Sequence, residues 1–265
     1  MKFPFYQVDA FAVKPFKGNP AAVFLLESAR EDSWLQAVAE EINLPETAFL
    51  LPKGHDYQLR WFTPTTEVDL CGHATIASAH ILYEFGFYDF DETINFHTRS
   101  GIITSTFNRG TIELDMPRLN VKPTPIPEGL LNILGTEPVA TFVSDANTLI
   151  AEMPTAEHIR SFVPDFKKIE KLDFEGLAIT APSDDPRFDF ISRYFSPRAG
   201  IPEDPVTGMA HCALGPYWEA KLGKSNLHAY QASARGGEVW LRIAPSRVFV
   251  GGKAVTVLAG EMLRQ

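Results

Sequence analysis

Three side chains that can carry protons stand out in this sequence because of the residues around them. Glu46 lies in LPETAFLL, at the start of an apolar stretch, and His73 directly follows a glycine at the start of another. Asp204 lies in the polar loop IPEDPVTG, just before a further glycine. Carboxylates and imidazoles are the usual general acids and bases of enzymes. These three residues are therefore our candidate catalytic groups.

Each candidate also has an ordinary structural interpretation. A carboxylate at a strand end can simply be solvated, and a histidine in an apolar helix can be hydrogen-bonded in the core. An aspartate before Pro205 can shape a turn, a common use of this residue. The strands and helices that position these residues belong to an internal repeat. This repeat helps to choose between the catalytic and the structural interpretation.

The repeat is visible in RWFTP at 60–64 and RYFSP at 193–197, which share an arginine, two aromatic residues, a hydroxyl side chain and a proline. From the proline of each copy, eight residues lead to Gly72 but 11 lead to Gly208, which indicates a three-residue insertion in the second copy. A third landmark farther along, RSG against RGG, fits the same insertion. We infer that the chain contains two copies of one unit.

Each copy combines short strands with one apolar helix. Alternating and β-branched stretches bounded by Gly, Pro and Asn predict the strands. The stretch 73–85 is apolar on every side and predicts a buried helix, with a second helix at about 209–222. The proline-rich stretch 118–129 predicts a stiff connector. The fold class that follows is α+β, with two pseudo-symmetric units that each wrap around a central helix.

Two such units related by a pseudo-twofold axis would leave a cleft, where small-molecule sites often lie. The helix starts GHAT (72–75) and GMAH (208–211) are predicted to point unpaired backbone N–H groups into it. Such ends favour anions, so the predicted ligand is a small carboxylate. The same helix end is expected to lower the pKa of His73.

The candidate catalytic residues are those that the two copies do not share. Glu46 aligns with Gly176, His73 aligns with Met209, and the inserted loop brings Asp204. An asymmetric reaction needs unlike groups on its two sides, which favours these positions.

The position directly before each of the two helices bears on another possible chemistry, racemisation by two thiols. Cys71 stands directly before the first helix, but Thr207 stands at its place in the second copy. A racemase that uses two thiols is therefore disfavoured, whereas a racemase or epimerase using Cys71 alone stays open.

Composition limits the function further. The 265 residues carry a formal net charge of −9 without a lysine or arginine block, which disfavours nucleic acid and anionic membranes as partners. No apolar run is long enough to span a bilayer, and two cysteines are too few for a disulfide framework, which together predict a cytoplasmic protein. Metal-binding and nucleotide-binding motifs are absent from the sequence, so we expect neither metal nor cofactor.

Four stretches together resemble the PhzF-like family, which takes its name from an isomerase of phenazine biosynthesis. They are DAFAVKPFKGNPAAVF (9–24), LPETAFL (44–50), RWFTPTTEVDLCGHAT (60–75) and EDPVTGMAH (203–211). The resemblance extends more distantly to diaminopimelate epimerase, and the last two stretches are its most specific part.

The resemblance implies two similar α+β domains, each a barrel-like, mostly antiparallel sheet around a central helix, usually in a homodimer. The domains would be residues 1–118 and 119–265, with the C-terminal strand, about 255–265, returning to the first domain. It also implies a cofactor-independent isomerase.

The resemblance further implies roles for individual residues. Glu46 would be the proton shuttle, and His73 and Asp204 would orient the substrate or donate protons. The residues implied to line the site are Asn19, Gly72 and Gly208, together with Met209.

Two departures from the family pattern concern the substrate. Met209 stands where a small polar residue is frequent, and Pro45 stands where serine is frequent before the glutamate. Both remove a hydroxyl donor, so we expect a substrate other than the phenazine precursor. A small-molecule-binding or interaction protein without catalysis is the alternative that these departures keep open.

Overall fold

The structure, a computed structural model, describes residues 2–263. The chain divides into two compact units. The first contains the residues up to Asp115 together with those from Gly251 onward, and the second is Met116–Val250. No helix in the described part of the chain is long and apolar enough to cross a membrane.

The first unit is a mixed sheet with two helices. Its strands are β1 (Lys2–Ala10), β2 (Asn19–Leu25), β3 (Glu46–Lys53), β4 (Asp56–Phe62), β5 (Glu67–Val68), β6 (Ile94–Thr98), β7 (Gly101–Asn108), β8 (Thr111–Pro117) and β18 (Ala254–Leu263). Its helices are α1 (Asp32–Ile42) and α2 (Gly72–Glu84). Strands β2 and β3 run parallel, as do β4 and β6, while β3 with β4 and β6 with β7 are antiparallel. The last strand, β18, pairs antiparallel with the first, β1.

The second unit repeats this order of pairings. Its strands are β9 (Val121–Pro123), β10 (Ala140–Ser144), β11 (Thr148–Glu152), β12 (Gly176–Pro182), β13 (Phe190–Ser196), β14 (Ile201–Asp204), β15 (Asn226–Gln231), β16 (Gly237–Ile243) and β17 (Arg247–Gly252). Its helices are α3 (Leu130–Leu134), α4 (Ala156–Ser161), α5 (Phe166–Ile169) and α6 (Gly208–Leu222). Strands β11 and β12 run parallel, as do β13 and β15, while β12 with β13 and β15 with β16 are antiparallel.

Each unit has one buried helix, α2 in the first and α6 in the second. In α2 every residue from His73 to Ala79 is buried, and the helix contacts β1, β2, β3 and β18. In α6 the residues from Ala210 to Trp218 are buried in the same way. Small residues allow the sheet to approach these helices closely, and apolar residues on every side leave no face that favours water. The predicted pair of apolar helices is therefore confirmed.

Helix α1 is amphipathic and covers the opposite face of the first sheet. Its buried residues Leu35 and Val38 join a cluster with Phe24, Phe49 and Phe62. Burying each of these large side chains contributes roughly 1.5–3 kcal/mol. This layer fixes β2 and β3, the two strands whose first residues reach the candidate active site.

The proline-rich stretch predicted as a connector is partly wrong. Val121–Pro123 forms strand β9, which pairs antiparallel with β10 through Pro123 opposite Phe142. A proline cannot donate to a ladder, so it is tolerated where a strand ends or lies at an edge. The residues on either side of β9 also belong to the second unit, where the Leu119 N–H donates to the Cys212 carbonyl oxygen and the Thr124 N–H to that of Thr141.

Candidate active site

Asn19, Glu46 and Gly72 are each the first residue of an element in the first unit. In the parallel pair of β2 and β3, Glu46 lies opposite Ala21, two residues beyond Asn19. The parallel register therefore brings the amide and the carboxylate to the same end of the sheet. The turn before β2 requires glycine, because Gly18 has φ +64° and a Cβ there would lie 2.0 Å from the Ala10 carbonyl oxygen.

His73 joins these elements through both of its ring nitrogens. Its Nε2 atom lies 3.1 Å from Glu46 Oε2, and its Nδ1 atom lies 3.2 Å from the Asn19 amide nitrogen. The Cys71 sulfur lies 3.5 Å from the same Nδ1. His73 is only 6% exposed and Glu46 8%, so the cluster lies in the interior. The sequence prediction that Glu46 and His73 act together has a geometric basis in this contact.

The contact between His73 and Glu46 is electrostatic more than directional. Within the described residues, Nε2 has no hydrogen-bond partner of good geometry, although Glu46 Oε2 is in contact range. A buried donor without a well-aligned partner is costly and is a common feature of sites that act on a ligand. The Nε2 atom of His73 is therefore buried against the Glu46 carboxylate without a well-aligned hydrogen bond to any described residue.

The pKa of His73 does not follow the helix-end expectation. Burial lowers it, but the Cys71 sulfur and the Glu46 carboxylate raise it, and the net pKa lies well above the usual 6.5. Burial and the Glu46 carboxylate also raise the pKa of Cys71, so this thiol remains protonated at neutral pH. Glu46 is then the partner that holds His73 charged. The predicted lowering is wrong because a carboxylate in contact outweighs the partial charge of a helix end.

Asn19 can serve both protonation states of His73. With its amide nitrogen toward Nδ1, it donates a hydrogen bond and leaves the proton of a neutral ring on Nε2, facing Glu46. With the amide turned by half a rotation, its oxygen accepts from the Nδ1–H of the charged ring. Asn19 therefore remains a hydrogen-bond partner of Nδ1 whether His73 is neutral or charged.

The cluster does not suit a single metal ion. Glu46, Cys71 and His73 offer ligand atoms within 4.8 Å of one another. However, the carboxylate approaches Nε2 and the sulfur approaches Nδ1, on different edges of the ring. One ion can bind only one of these nitrogens, so the arrangement fits a chain of proton donors and acceptors better than a metal centre.

The start of α2 adds a positive potential to this cluster. Cys71 is its N-cap residue and makes no side-chain cap hydrogen bond among the described residues. Uncapped N–H groups and the helix dipole favour an anion at this end. A charged His73 in the first turn strengthens the same preference.

In the second unit, Asp204 ends β14 and is held by the residues that lead into α6. The Thr207 hydroxyl donates to Asp204 Oδ2 at 2.5 Å. The Gln231 side chain accepts from the Thr207 backbone N–H at 2.9 Å and donates to the Asp204 carbonyl oxygen at 2.8 Å. Gly208 begins the helix, and Met209 is half-buried in its first turn. Asp204, Gly208 and Met209 thus form one local group.

The structure therefore places the predicted residues in two groups, one in each unit. Asn19, Glu46, Gly72 and His73 belong to the first unit. Sequence reasoning missed Gln231, which fixes Thr207 beside Asp204 from 24 residues away. No local signal marks this glutamine, because its role depends on the pairing of β15.

Comparisons with known proteins agree with this description. The profile of the phenazine biosynthesis-like proteins (PhzC-PhzF) matches residues 8–260. A protein of Halalkalibacterium halodurans named as an uncharacterized isomerase is 48% identical over 264 residues, with 99% of each chain covered. A crystal structure of a PhzF-family phenazine biosynthesis protein from Enterococcus faecalis superposes with a TM-score of 0.95 at 40% identity, covering 100% of both chains.

A more distant likeness concerns the fold alone. A probable proline racemase from Agrobacterium radiobacter is 12% identical, with a TM-score of 0.62 over 99% of this chain and 93% of the other. The predicted family and the predicted α+β, epimerase-like fold class are confirmed.

Proposed function

Since the chain belongs to the phenazine biosynthesis-like family, we propose that it is a cofactor-independent isomerase that moves a proton within a small carboxylate-bearing substrate. Glu46 is the general base and then the general acid. The observation that carries this proposal is the buried contact of 3.1 Å between Glu46 Oε2 and His73 Nε2.

The proposed reaction returns every proton that it takes. The Glu46 carboxylate removes a proton from a carbon beside an electron-withdrawing group, and the electron pair of the broken C–H bond is delocalised over the substrate. The protonated Glu46 then gives the proton to a different carbon of the same molecule. His73 and the start of α2 stabilise the negative charge that develops between the two steps.

The remaining predicted residues take supporting roles in this proposal. Asn19 and Gly72 bind the substrate beside Glu46. Gly208 and Met209 line the site, and Asp204 orients the substrate or donates a proton. The Thr207 hydroxyl supports the role of Asp204, because a fixed carboxylate is easier to aim than a mobile one.

The raised pKa of the Cys71 thiol counts against the alternative in which this cysteine is the base. A protonated thiol must first lose its proton in a buried position, next to the Glu46 carboxylate. We expect Cys71→Ser to keep most of the turnover. Abolished turnover in that variant, with Glu46→Gln still active, would instead assign the chemistry to the cysteine.

Deuterium exchange into a panel of acids tests the proposal before any substrate is identified. Small conjugated carboxylic acids are incubated with the protein in D₂O, and incorporation at carbon is followed by NMR. We expect Glu46→Gln to lower the rate of an exchanging acid by about 10²–10⁴-fold, the usual contribution of a general base. Glu40→Gln is the matched control, since Glu40 is an exposed carboxylate on α1 in the same unit.

Both variants must melt as the unchanged protein does for the comparison to count. Undiminished exchange in Glu46→Gln would refute the assignment of the base. A complete lack of exchange across the panel, with binding of the acids still measurable, would support the alternative of a binding protein without catalysis.

A further inference from the structure

A cavity lies at the C-terminal end of α2, within the first unit. Its volume is about 390 Å³, within the range of small-molecule sites. It is lined by residues of the last turns of α2, by β7 and β8, and by the chain before β18. The proposed reaction uses none of these residues.

One wall of this cavity is aromatic. Tyr83, Phe90 and Phe107 pack against one another with ring centroids 4.6–5.9 Å apart. Phe90 remains 56% exposed in spite of these contacts. The rings are too close together to enclose a ligand, so they form a wall on which an apolar or cationic group can rest.

The other side of the cavity carries a carboxylate. Glu84 is 42% exposed, and its Oε2 atom accepts from the Thr256 hydroxyl and lies 3.2 Å from His80 Nε2. All contacts of the Glu84 side chain within residues 2–263 run through Oε2, which leaves Oε1 able to bind a ligand. Burial lowers the pKa of His80, so this imidazole is neutral at pH 7 and does not cancel the charge of Glu84.

The cluster of His80, Glu84 and Thr256 is not a nucleophilic triad. Thr256 Oγ1 lies 3.1 Å from the same Nε2 atom that approaches Glu84, so the imidazole cannot link the two oxygens through opposite nitrogens. Its arrangement fixes the Glu84 side chain and indicates binding.

The C-terminal end of α2 adds to the negative potential that Glu84 creates in the cavity. Glu84 is the last residue of α2, and the last turn of this helix contains no basic residue. The carbonyl end of a helix is partially negative and favours a cation. A carboxylate, a helix C-terminus and an aromatic wall therefore share a preference for positive charge.

We propose that this cavity binds a small organic cation, a primary ammonium group on an aromatic or apolar body. The ammonium group pairs with Glu84 Oε1 at the end of α2, and the body of the ligand rests on Phe90 and Phe107. Lys253 also lines the cavity, and its positive charge opposes this ligand. Removing the positive charge of Lys253 should therefore strengthen the binding of a cation.

The direct test is an NMR titration of the full chain with phenethylammonium, in which the amide chemical shifts report binding. Phenylacetate and 2-phenylethanol carry the same ring with a negative charge and with none. We expect phenethylammonium to bind at least fivefold more tightly than either, with shifts around Tyr83 and Glu84. Equal or tighter binding of phenylacetate or 2-phenylethanol would overturn the proposal, as would shifts centred elsewhere.

Four variants assign the contacts. Glu84→Gln should weaken phenethylammonium binding at least fivefold, and Phe90→Leu at least twofold, whereas Lys253→Met should tighten it. Asp91→Asn is the matched control, because it removes an exposed carboxylate next to the cavity wall and should leave affinity unchanged. Unchanged affinity in both Glu84→Gln and Phe90→Leu refutes the site. If one of the two variants proves unstable, unchanged affinity in the other is sufficient to refute it.

Discussion

Each unit contains an equivalent Arg–Glu ion pair, whereas the side chains that could take part in a reaction differ between the units. Arg60 in β4 binds Glu67 through Nε and Nη2, both at 2.7 Å. Arg193 in β13 binds Glu203 through the same two nitrogens, at 2.7 and 2.9 Å. In each unit this pair fastens the short strand that precedes the buried helix. The arginine of the repeated sequence motif is thus a structural element that both copies kept.

The position of Glu46 shows the opposite behaviour. Gly176 begins β12 as Glu46 begins β3, and each lies in a parallel pair with the strand before it. A Cβ at Gly176 would lie 2.4 Å from the hydroxyl of Tyr194, whose counterpart in the first unit is Trp61. In the second unit, a side chain at this position would therefore require the Tyr194 ring to move.

The residues at the start of the buried helices differ in the same way. Cys71 and His73 in the first unit contact each other, whereas Thr207 in the second unit donates to Asp204. The comparison teaches that one scaffold was used twice and that the two copies carry unlike polar groups at equivalent positions. Such a division suits a reaction whose two proton transfers are not equivalent.

Breaking the shared ion pair is expected to have the largest effect on stability. Arg193 also donates to the carbonyl oxygens of Ile159 and Phe162, and its side chain is only 9% exposed. Arg193→Ala leaves Glu203 without this partner in the interior, and should cost about 3–5 kcal/mol. Arg60→Ala should cost less, about 1–2 kcal/mol, because Glu67 keeps Arg99 at 2.9 Å.

Denaturant unfolding of the two variants measures this difference. Arg187→Ala is the control, because its pair with Asp185 lies at the surface and should contribute little to stability. Equal losses in Arg60→Ala and Arg193→Ala would show that the surrounding contacts do not distinguish the two units.

Much of this comparison was predictable from sequence, for a physical reason. The repeated motif, the apolar helices and the unlike positions depend on residue types and spacing, which a sequence displays directly. The insertion that brings Asp204 was visible, but its pairing as β14 was not, because this strand is short and contains Pro202. The contact of Gln231 with Thr207 and the crowding at Gly176 arise from strand pairing, so local sequence contains no sign of them.

The pKa of His73 was predicted with the wrong sign for a related reason. The helix end was visible in the sequence, whereas the contact with Glu46 depends on how α2 packs against β3. The sequence therefore displayed the effect of the helix end on the pKa of His73 but not the stronger effect of the distant Glu46 carboxylate.

Two buried histidines should make the free energy of unfolding depend on pH in opposite directions. Burial lowers the pKa of His211 in α6 to about 4, so its contribution is complete above pH 6.5 and is lost as pH falls toward 4. This loss amounts to about 3 kcal/mol. The raised pKa of His73 has the reverse sign: its contribution is complete below pH 6.5 and is lost as pH rises through the raised value.

The free energy of unfolding of His73→Gln and His211→Gln, compared with the unchanged protein from pH 5 to 9, separates the two signs. The deficit of His73→Gln should shrink as pH rises, and that of His211→Gln should shrink as pH falls. Parallel curves for the two variants would contradict the assigned charge states.

A further effect, smaller than that of Arg193→Ala, is expected at the crowded glycine. Gly176→Ala places a methyl group 2.4 Å from the Tyr194 hydroxyl and 2.6 Å from its Cζ, so the ring must move, at a cost of about 1–3 kcal/mol. Tyr194→Phe removes the nearer of these atoms, and the double variant should lose less than the sum of the single losses.

Gly215→Ala in α6 is the matched control for Gly176→Ala. Its new methyl group would meet the tip of the Leu241 side chain at 3.3 Å, and alanine favours a helix over glycine by about 1 kcal/mol. We expect this variant to be as stable as the unchanged protein or more so, by denaturant unfolding. If Gly176→Ala is equally harmless, the second unit does have space for a side chain there. Its lack of a carboxylate would then no longer follow from packing, and the division of labour between the units would need a cause other than sterics.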